Sequence, residues 1–325
     1  MNYITQEEID QYAYGPDEAA RIIPASAYCQ GVIDRFYGCD DLFNAHHKMP
    51  WSKTHGHINF RPNEVTIWSG YNGSGKSLLL GQVMLGILSQ GGKVCIASME
   101  MKPEATLGRM VRQSSGHEEP PIQYIKDFHS WTDNKLWIYD QQGTVNPARI
   151  LSVCRYSADK LKIQHVIIDS LMKCGINSDD YNAQKNFLDQ LCACAKDFNT
   201  HIHLIAHARK GETEHKSIDK MSVKGASEIT DMADNVFTIW RNKRKEEESI
   251  KPHKDSDIIN MPDVLLTCEK QRHGEWEGRI TLWFDKESMQ YVASDGARPI
   301  DFMETDSGTR TGIGESPEDA SIPFR

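Results

Sequence analysis

The stretch Val65-Thr66-Ile67-Trp68-Ser69 runs directly into Gly70-Tyr71-Asn72-Gly73-Ser74-Gly75-Lys76-Ser77, and then into Leu78-Leu79-Leu80-Gly81-Gln82-Val83-Met84-Leu85. The apolar, β-branched run before the glycines reads as a strand, and the apolar run after them reads as a buried helix. Between them lies a complete G-x-x-x-x-G-K-[ST] pattern in the strand–turn–helix context that gives it meaning. There, backbone N–H groups of the turn and the helix N-terminus converge on an anion. Gly70, Asn72, Gly73, Ser74, Gly75 and Leu78 would wrap the phosphates. Lys76 would hold the β- and γ-phosphates as a point charge, and Ser77 would place its hydroxyl on Mg²⁺. The chain is therefore expected to bind ATP or another nucleoside triphosphate together with Mg²⁺.

Working outward, strand-like runs recur at Val94–Ala97, Leu136–Tyr139, His165–Ile168, Ile202–Ala206 and Val236–Trp240. Helical segments such as Pro103–Gln113, Pro147–Leu161 and Asn182–Phe198 separate them. Short Val/Ile-rich runs alternating with helices of this length predict an α/β fold. Its central sheet should be mostly parallel, with right-handed crossovers and helices on both faces. Val264–Glu269, Ile280–Phe284 and Gln290–Val292 then succeed one another without helices and predict an antiparallel extension. Three segments follow: an arm or linker over residues 1–60, an ATPase domain over 61–293, and an acidic tail over 294–325 expected to be disordered. Thr5 and Glu8 have the spacing of a capping box for a short helix in the arm.

In a parallel sheet the ligand sits at the carboxyl ends of the strands, so polar residues there are the first candidates. Asp169 ends the run His165–Ile168 as a Walker-B carboxylate would, in reach of a Mg²⁺ shell. Glu100 follows the run from Val94 and is placed to orient and deprotonate a water. His207 ends the run from Ile202, where it reads equally as a phosphate sensor or as a satisfied core histidine. Beyond it, Arg209, Lys210, Lys216, Lys220 and Lys224 outnumber Glu212, Glu214 and Asp219, a net of +2. A flexible, backbone-contacting nucleic-acid loop and a plain solvated loop both fit that pattern.

The net charge of -9 is unevenly spread: residues 1–50 carry -5 and residues 294–325 carry -4, leaving 51–293 neutral. A neutral body can still present basic loops to a polyanion. None of the 8 cysteines forms a C-x-x-C pair, which argues against a zinc ribbon and for inert or buried thiols. His46, His47, His55 and His57 lack the Cys/Asp partners of a metal site. No run reaches the ~18–20 apolar residues of a membrane span, and no secretion signal opens the chain. A cytoplasmic protein with no membrane partner is expected.

Taken together, the motifs resemble one family. The glycine turn, Ser98-Met99-Glu100-Met101-x-Pro103-Glu104 continuing to Arg109-Met110, Ile167-Ile168-Asp169, Ala206-His207, and Lys270-Gln271-Arg272-x-Gly274 with Gly278 resemble the RecA-type ATPase domain of DnaB-like replicative helicases. The pattern is nearest to the helicase half of phage primase-helicases and of the mitochondrial helicase Twinkle. The resemblance covers Glu64–Val292. It implies that Glu100 is the catalytic base, Asp169 the Mg²⁺ carboxylate and His207 the phosphate sensor. Lys270 and Arg272 would reach into the neighbouring subunit's nucleotide, and Arg241 and Phe284 would sandwich the base. Lys224-Gly225-Ala226 resembles the end of the DNA-binding loop. The implied assembly is a hexameric ring around single-stranded DNA, with the loops at Lys173–Asp180 and Arg209–Lys224 facing the channel and 5′-to-3′ movement. The first ~60 residues are too few for a primase domain or a helical collar. An acidic tail ending Ser321-Ile322-Pro323-Phe324-Arg325 resembles segments that dock a polymerase, primase or single-strand-binding protein. A RecA-like filament-forming repair ATPase and a KaiC-like regulatory ATPase share the fold, and fold alone does not choose among them.

Overall fold

The computed structural model describes residues 6–10, 24–30, 32–33, 46–177, 179–208 and 227–303. A short helix, α1 (Gln6–Asp10), is tied to the body by an ion pair from Asp10 to Arg149 at 2.6 Å; its expected cap, Thr5, lies outside the described residues. Two short strands, β1 (His47–Lys48) and β2 (Asn59–Phe60), pair antiparallel. The chain then runs β3 (Val65–Gly70), α2 (Lys76–Ser89), β4 (Val94–Ser98), α3 (Pro103–Ser115), α4 (Ile122–Thr132), β5 (Leu136–Ile138), α5 (Pro147–Lys160), β6 (His165–Asp169), α6 (Tyr181–Asp197), β7 (His201–His207), α7 (Ser227–Met232) and β8 (Asn235–Arg241). Two short helices, α8 (Lys243–Ser249) and α9 (Ser256–Ile259), precede β9 (Val264–Gln271), β10 (Gly278–Asp285) and β11 (Gln290–Val292).

Nine strands make one sheet in the order β11-β10-β9-β8-β3-β7-β6-β4-β5, parallel from β8 to β5 and antiparallel from β8 to β11. The expected mostly parallel sheet with an antiparallel extension is what forms. Its central strands β3, β4, β6 and β7 are buried on both faces, so successive residues feed two different cores. Trp68, Ile96, Ile167 and Ile205 face a core built on α2, α3 and α4. Ile67, Ala97, Ile168 and Leu204 face a second core built on α5 and α6. The helices start at encoded signals: Asn146 accepts from Ala148 N at 2.8 Å ahead of Pro147, and Asp180 accepts from Ala183 N at 2.9 Å. Gly116, in the left-handed region, stops α3.

The packed body extends past both expected limits. Met49, Trp51, Ile58 and Phe60, placed in the arm by sequence, are buried in the first core. Trp51 Nε1 donates to the Tyr291 carbonyl at 2.6 Å, so this segment braces the last strand of the sheet. At the other end Phe302 and Met303 are buried, and Gln290 bonds both the N–H and the carbonyl of Ile300. The acidic segment is therefore packed as far as Met303, past the expected boundary at Ser294. The rest of it, residues 304–325, lies outside the described residues.

A buried chain of imidazoles links the β1–β2 pair to the sheet. Trp68 Nε1 donates to His203 Nδ1 at 3.1 Å, which leaves the His203 Nε2 proton for His165 Nδ1 at 3.1 Å. His165 Nε2 in turn has the proton for His47 Nδ1 at 2.9 Å. His201 stacks on His203 with ring centroids 4.4 Å apart and bonds Thr66 Oγ1 at 2.7 Å. Burial drives His165 and His203 well below the ordinary imidazole value and His201 to about 4. Unfolding returns each to about 6.5. Their contribution is complete above that value and is lost as pH falls through it toward 4. From His201 alone the loss at pH 5 is about 2 kcal/mol. Thermal melts at pH 7.5 and pH 5 should differ by several degrees or more; equal midpoints would refute neutral burial of the cluster.

Candidate active site

The carboxyl ends of β3, β4, β6 and β7 converge because register holds them level: Gly70 pairs with His207, and Ser98 with Asp169. The turn after β3 begins at Gly70, where a Cβ would lie 2.5 Å from Ser74 Oγ and 2.6 Å from the Ile239 carbonyl. Gly75 has φ +85°, and a Cβ there would meet the Tyr291 hydroxyl at 2.1 Å. Lys76 opens α2, buried, with Nζ donating to the carbonyls of Gly70 and Tyr71 at 2.9 Å each. Ser77 Oγ donates to Asp169 Oδ2 at 2.6 Å. A single cleft is lined by Asn72, Gly73, Gly75, Lys76, Ser77 and Leu78 from the turn and helix. Glu100, Asp169 and His207 line its other side. The sequence-predicted phosphate, base, metal and sensor positions thus share one cavity.

Glu100 stands just past β4, and Ser170 Oγ donates to its Oε1 at 2.8 Å. His207 Nε2 lies 3.8 Å from the same oxygen. A carboxylate held between a hydroxyl and an imidazole at the carboxyl end of a sheet can orient a water and take its proton. Burial raises the Asp169 carboxyl above its ordinary value, and the Glu100 charge adds to that shift. The Ser77 bond, Lys76 and Arg109 oppose it. A hydroxyl and a buried carboxylate 2.6 Å apart form a hard-oxygen donor pair suited to Mg²⁺. The ion would supply charge neutralisation between the β- and γ-phosphates. Among the described residues no group of three or more His, Cys, Asp or Glu could hold a metal ion, and the four arm histidines do not converge on one.

Burial pulls the Lys76 ammonium down to about 8, with Asp169 and Glu100 opposing. A triphosphate beside it favours the charged form, so binding above about pH 8 must take up a proton. Triphosphate affinity should then fall roughly tenfold per pH unit beyond that point. Calorimetric titrations in buffers of different ionisation heat would register the uptake; a flat affinity from about pH 7 to 9.5 would contradict it.

Arg241 Nη1 reaches the Gly73 carbonyl at 3.3 Å, and its Nε pairs with Glu246 on α8. Phe284 packs on Tyr291, with centroids 5.3 Å apart; of the two expected nucleobase contacts only Arg241 touches the turn, and neither lines the cleft. Lys270 and Arg272 are elsewhere. Lys270 lies near the end of β9 and Arg272 just beyond it; β9 runs antiparallel to β8, so both lie at the amino end of β3. Lys270 Nζ donates to the Thr230 and Asp231 carbonyls at 3.0 and 2.6 Å. Arg272 Nη2 donates to those of Asp231 and Met232, and its Nη1 pairs with Asp234 at 3.0 Å. These are cations on the last carbonyls of α7, a favourable end for positive charge. At ~3.3 Å per residue they stand about 15 Å of strand from their own P-loop. Arg209, Lys210, Lys216, Lys220, Lys224 and Gly225 lie outside the described residues.

Sequence reasoning missed Ser170, which directly follows the Asp169 carboxylate, and Tyr291, whose hydroxyl backs Gly75. It also set Lys173 on a channel loop, whereas Lys173 lines the nucleotide cleft beside Met172, Gln142 and Gly143. The cysteine reading holds for Cys95, Cys154, Cys174, Cys192, Cys194 and Cys268, which are buried, but Cys29 is exposed.

Residues 53–293 match the family model of the DnaB-like helicase C terminal domain. The chain belongs to the DnaB-like helicase family. With that membership goes an NTP-hydrolysing helicase domain of the replicative type. Among solved structures, one ATPase domain superposes with a TM-score of 0.62 at 16% identity, covering 85% of this chain and 99% of that one. The structure of a DnaB-like replicative helicase and its interactions with primase gives 0.63 at 14% identity, covering 88% and 74%. At these identities the likeness is one of fold. No described helix of this DnaB-like chain is long and apolar enough to cross a membrane.

Proposed function

We propose that this DnaB-like chain is an ATP-driven motor that closes into a ring, a hexamer on the family pattern, and translocates on single-stranded DNA. Glu100 is its base, Lys76 and the glycine turn hold the phosphates, and Ser77 with Asp169 holds Mg²⁺. His207 senses the terminal phosphate. Arg241 and Phe284 hold the base of the nucleotide. The observation that carries the reading is the split between the two ends of the sheet. The nucleotide half-site gathers at the carboxyl ends of β3, β4, β6 and β7, while Lys270 and Arg272 sit at the far end of β9. A subunit built this way cannot bring those cations to its own phosphates, and head-to-tail contacts that do so make a ring where the rotation between subunits closes.

The basic residues Arg209, Lys210, Lys216, Lys220 and Lys224, with Gly225, form the DNA loop in this reading. The family resemblance adds 5′-to-3′ movement, a cytoplasmic setting in phage or mobile-element replication, and a replication partner on the acidic tail. Electron microscopy of the full chain with Mg²⁺, a non-hydrolysable ATP analogue and single-stranded DNA is the direct test. Closed rings are expected; open filaments would instead support a recombination ATPase, and monomers would remove the ring.

A further inference from the structure

Strands β8 and β9 are antiparallel neighbours, a pairing that a two-residue turn can close. Here residues 242–263 stand between them and carry α8 and α9 at the carboxyl end of β8, the end where the glycine turn leaves β3. None of the roles above falls on this segment. Its neck is closed by Asn242, whose N–H donates to the Asp263 carbonyl at 2.8 Å and whose Nδ2 donates to the Pro262 carbonyl at 3.1 Å. The Asn242 side chain also caps α8, accepting from the Lys245 N–H at 3.1 Å.

From that neck, two consecutive residues of α8 reach the two residues given to the nucleobase. Lys245 Nζ pairs with Asp263 Oδ1 at 3.0 Å, and Asp263 Oδ2 accepts from the Phe284 N–H at 2.9 Å. Glu246 accepts from Arg241 Nε, while Arg241 Nη1 donates to the Gly73 carbonyl at 3.3 Å. The N–H groups of a guanidinium all lie in its plane, so acceptors at Nε and Nη1 hold it by its edges and leave its faces for stacking. Arg241 and Glu246 are 45% and 44% exposed. An ion pair that open adds little to stability. Its effect is to orient a cation able to stack on an aromatic ring.

We propose that α8 is the nucleobase wall of the ATPase site and that Glu246 is its positioning residue, holding Arg241 by the edge with one face left for the base. The inference rests on the reading that Arg241 holds the base and adds what holds Arg241. Without Glu246, the Gly73 carbonyl is the one acceptor left on that guanidinium among the described residues, and a single hydrogen bond lets the plane turn. The phosphate contacts at Lys76 and the glycine turn are untouched by the loss.

The test is a calorimetric titration of the full chain, with Mg²⁺, by a non-hydrolysable ATP analogue and by inorganic tripolyphosphate, which has no base. Glu246→Ala should weaken the ATP analogue by about threefold to tenfold, the range for a lost stacking cation, and leave tripolyphosphate within about twofold. Glu246→Gln should recover part of the loss, since its amide oxygen still accepts from Nε. Arg241→Ala should weaken the analogue at least as much, and the double variant should be no worse than Arg241→Ala alone, because Glu246 acts through Arg241. Melting temperatures should be unchanged throughout. Analogue binding unaltered in Glu246→Ala, an equal loss for both ligands, or additive losses in the double variant would overturn the inference alone. An Arg241→Ala chain that binds the analogue normally would instead remove the base reading of Arg241, and the inference with it.

Discussion

Arg272→Ala is expected to lower DNA-stimulated ATP hydrolysis by about 10³–10⁵, the value of an arginine that stabilises transition-state charge in phosphoryl transfer. Nucleotide binding by the single subunit should change little, because Arg272 contacts α7 and Asp234 there and not the cleft. The substitution has a second, structural effect that must be separated from the first. Asp234 is buried and loses its ion pair, although it keeps the Val65 N–H at 2.9 Å. A destabilised chain would also hydrolyse slowly. Mixing Arg272→Ala chains with Lys76→Ala chains resolves the two causes. At an interface where the first contributes an intact P-loop and the second an intact arginine, activity should return. A misfolded chain cannot be rescued in that way, so an inactive mixture would count against a trans-acting arginine.

The contacts of Lys270 and Arg272 also tie both cations to one short helix. Both cations satisfy carbonyls at the end of α7, and α7 directly follows the basic segment ending at Ala226. A side chain that leaves those carbonyls for a neighbour's phosphate gives up hydrogen bonds at one end of the helix.

Much of this is legible in the sequence, and the exceptions share a cause. The strands from Val65 to Trp240 and the helices at Pro103, Pro147 and Tyr181 are visible because each is a local pattern, apolar runs or helical periodicity bounded by Pro, Asn, Asp or Gly. Glu100, Asp169 and His207 are visible because strand ends in a parallel sheet are a predictable address. Helix α4 is not among the expected helices, though Ile122, Ile125, Phe128 and Trp131 recur every three residues behind Pro120-Pro121. Trp51, Phe60 and Phe302 fall outside the expected domain because no periodicity marks them. Their burial comes from distant partners: Trp51 bonds Tyr291 in the last strand, and Phe60 packs on His203 and Phe237. Ser170 belongs to the same class: its meaning comes from the Glu100 carboxylate that it faces, which no spacing rule gives.

Glu100→Gln should separate nucleotide binding from hydrolysis. The amide keeps an oxygen for the Ser170 hydroxyl, now 2.8 Å from Glu100 Oε1, so the side chain should stay in place. It cannot accept the proton of the attacking water, and loss of general base catalysis is worth about 10²–10⁴ in rate. Ring formation and triphosphate binding should persist, because neither Lys76 nor the glycine turn is touched. Ser170→Ala provides the graded comparison. It leaves the carboxylate in place but frees one oxygen from its donor, so the expected loss is smaller, about tenfold, the value of one hydrogen bond to a charged group. Measured side by side in single-turnover assays, the two variants distinguish a base from its holder. Near-normal turnover by Glu100→Gln would transfer the base role to another group in the cleft, with His207, 3.8 Å away, the first to examine.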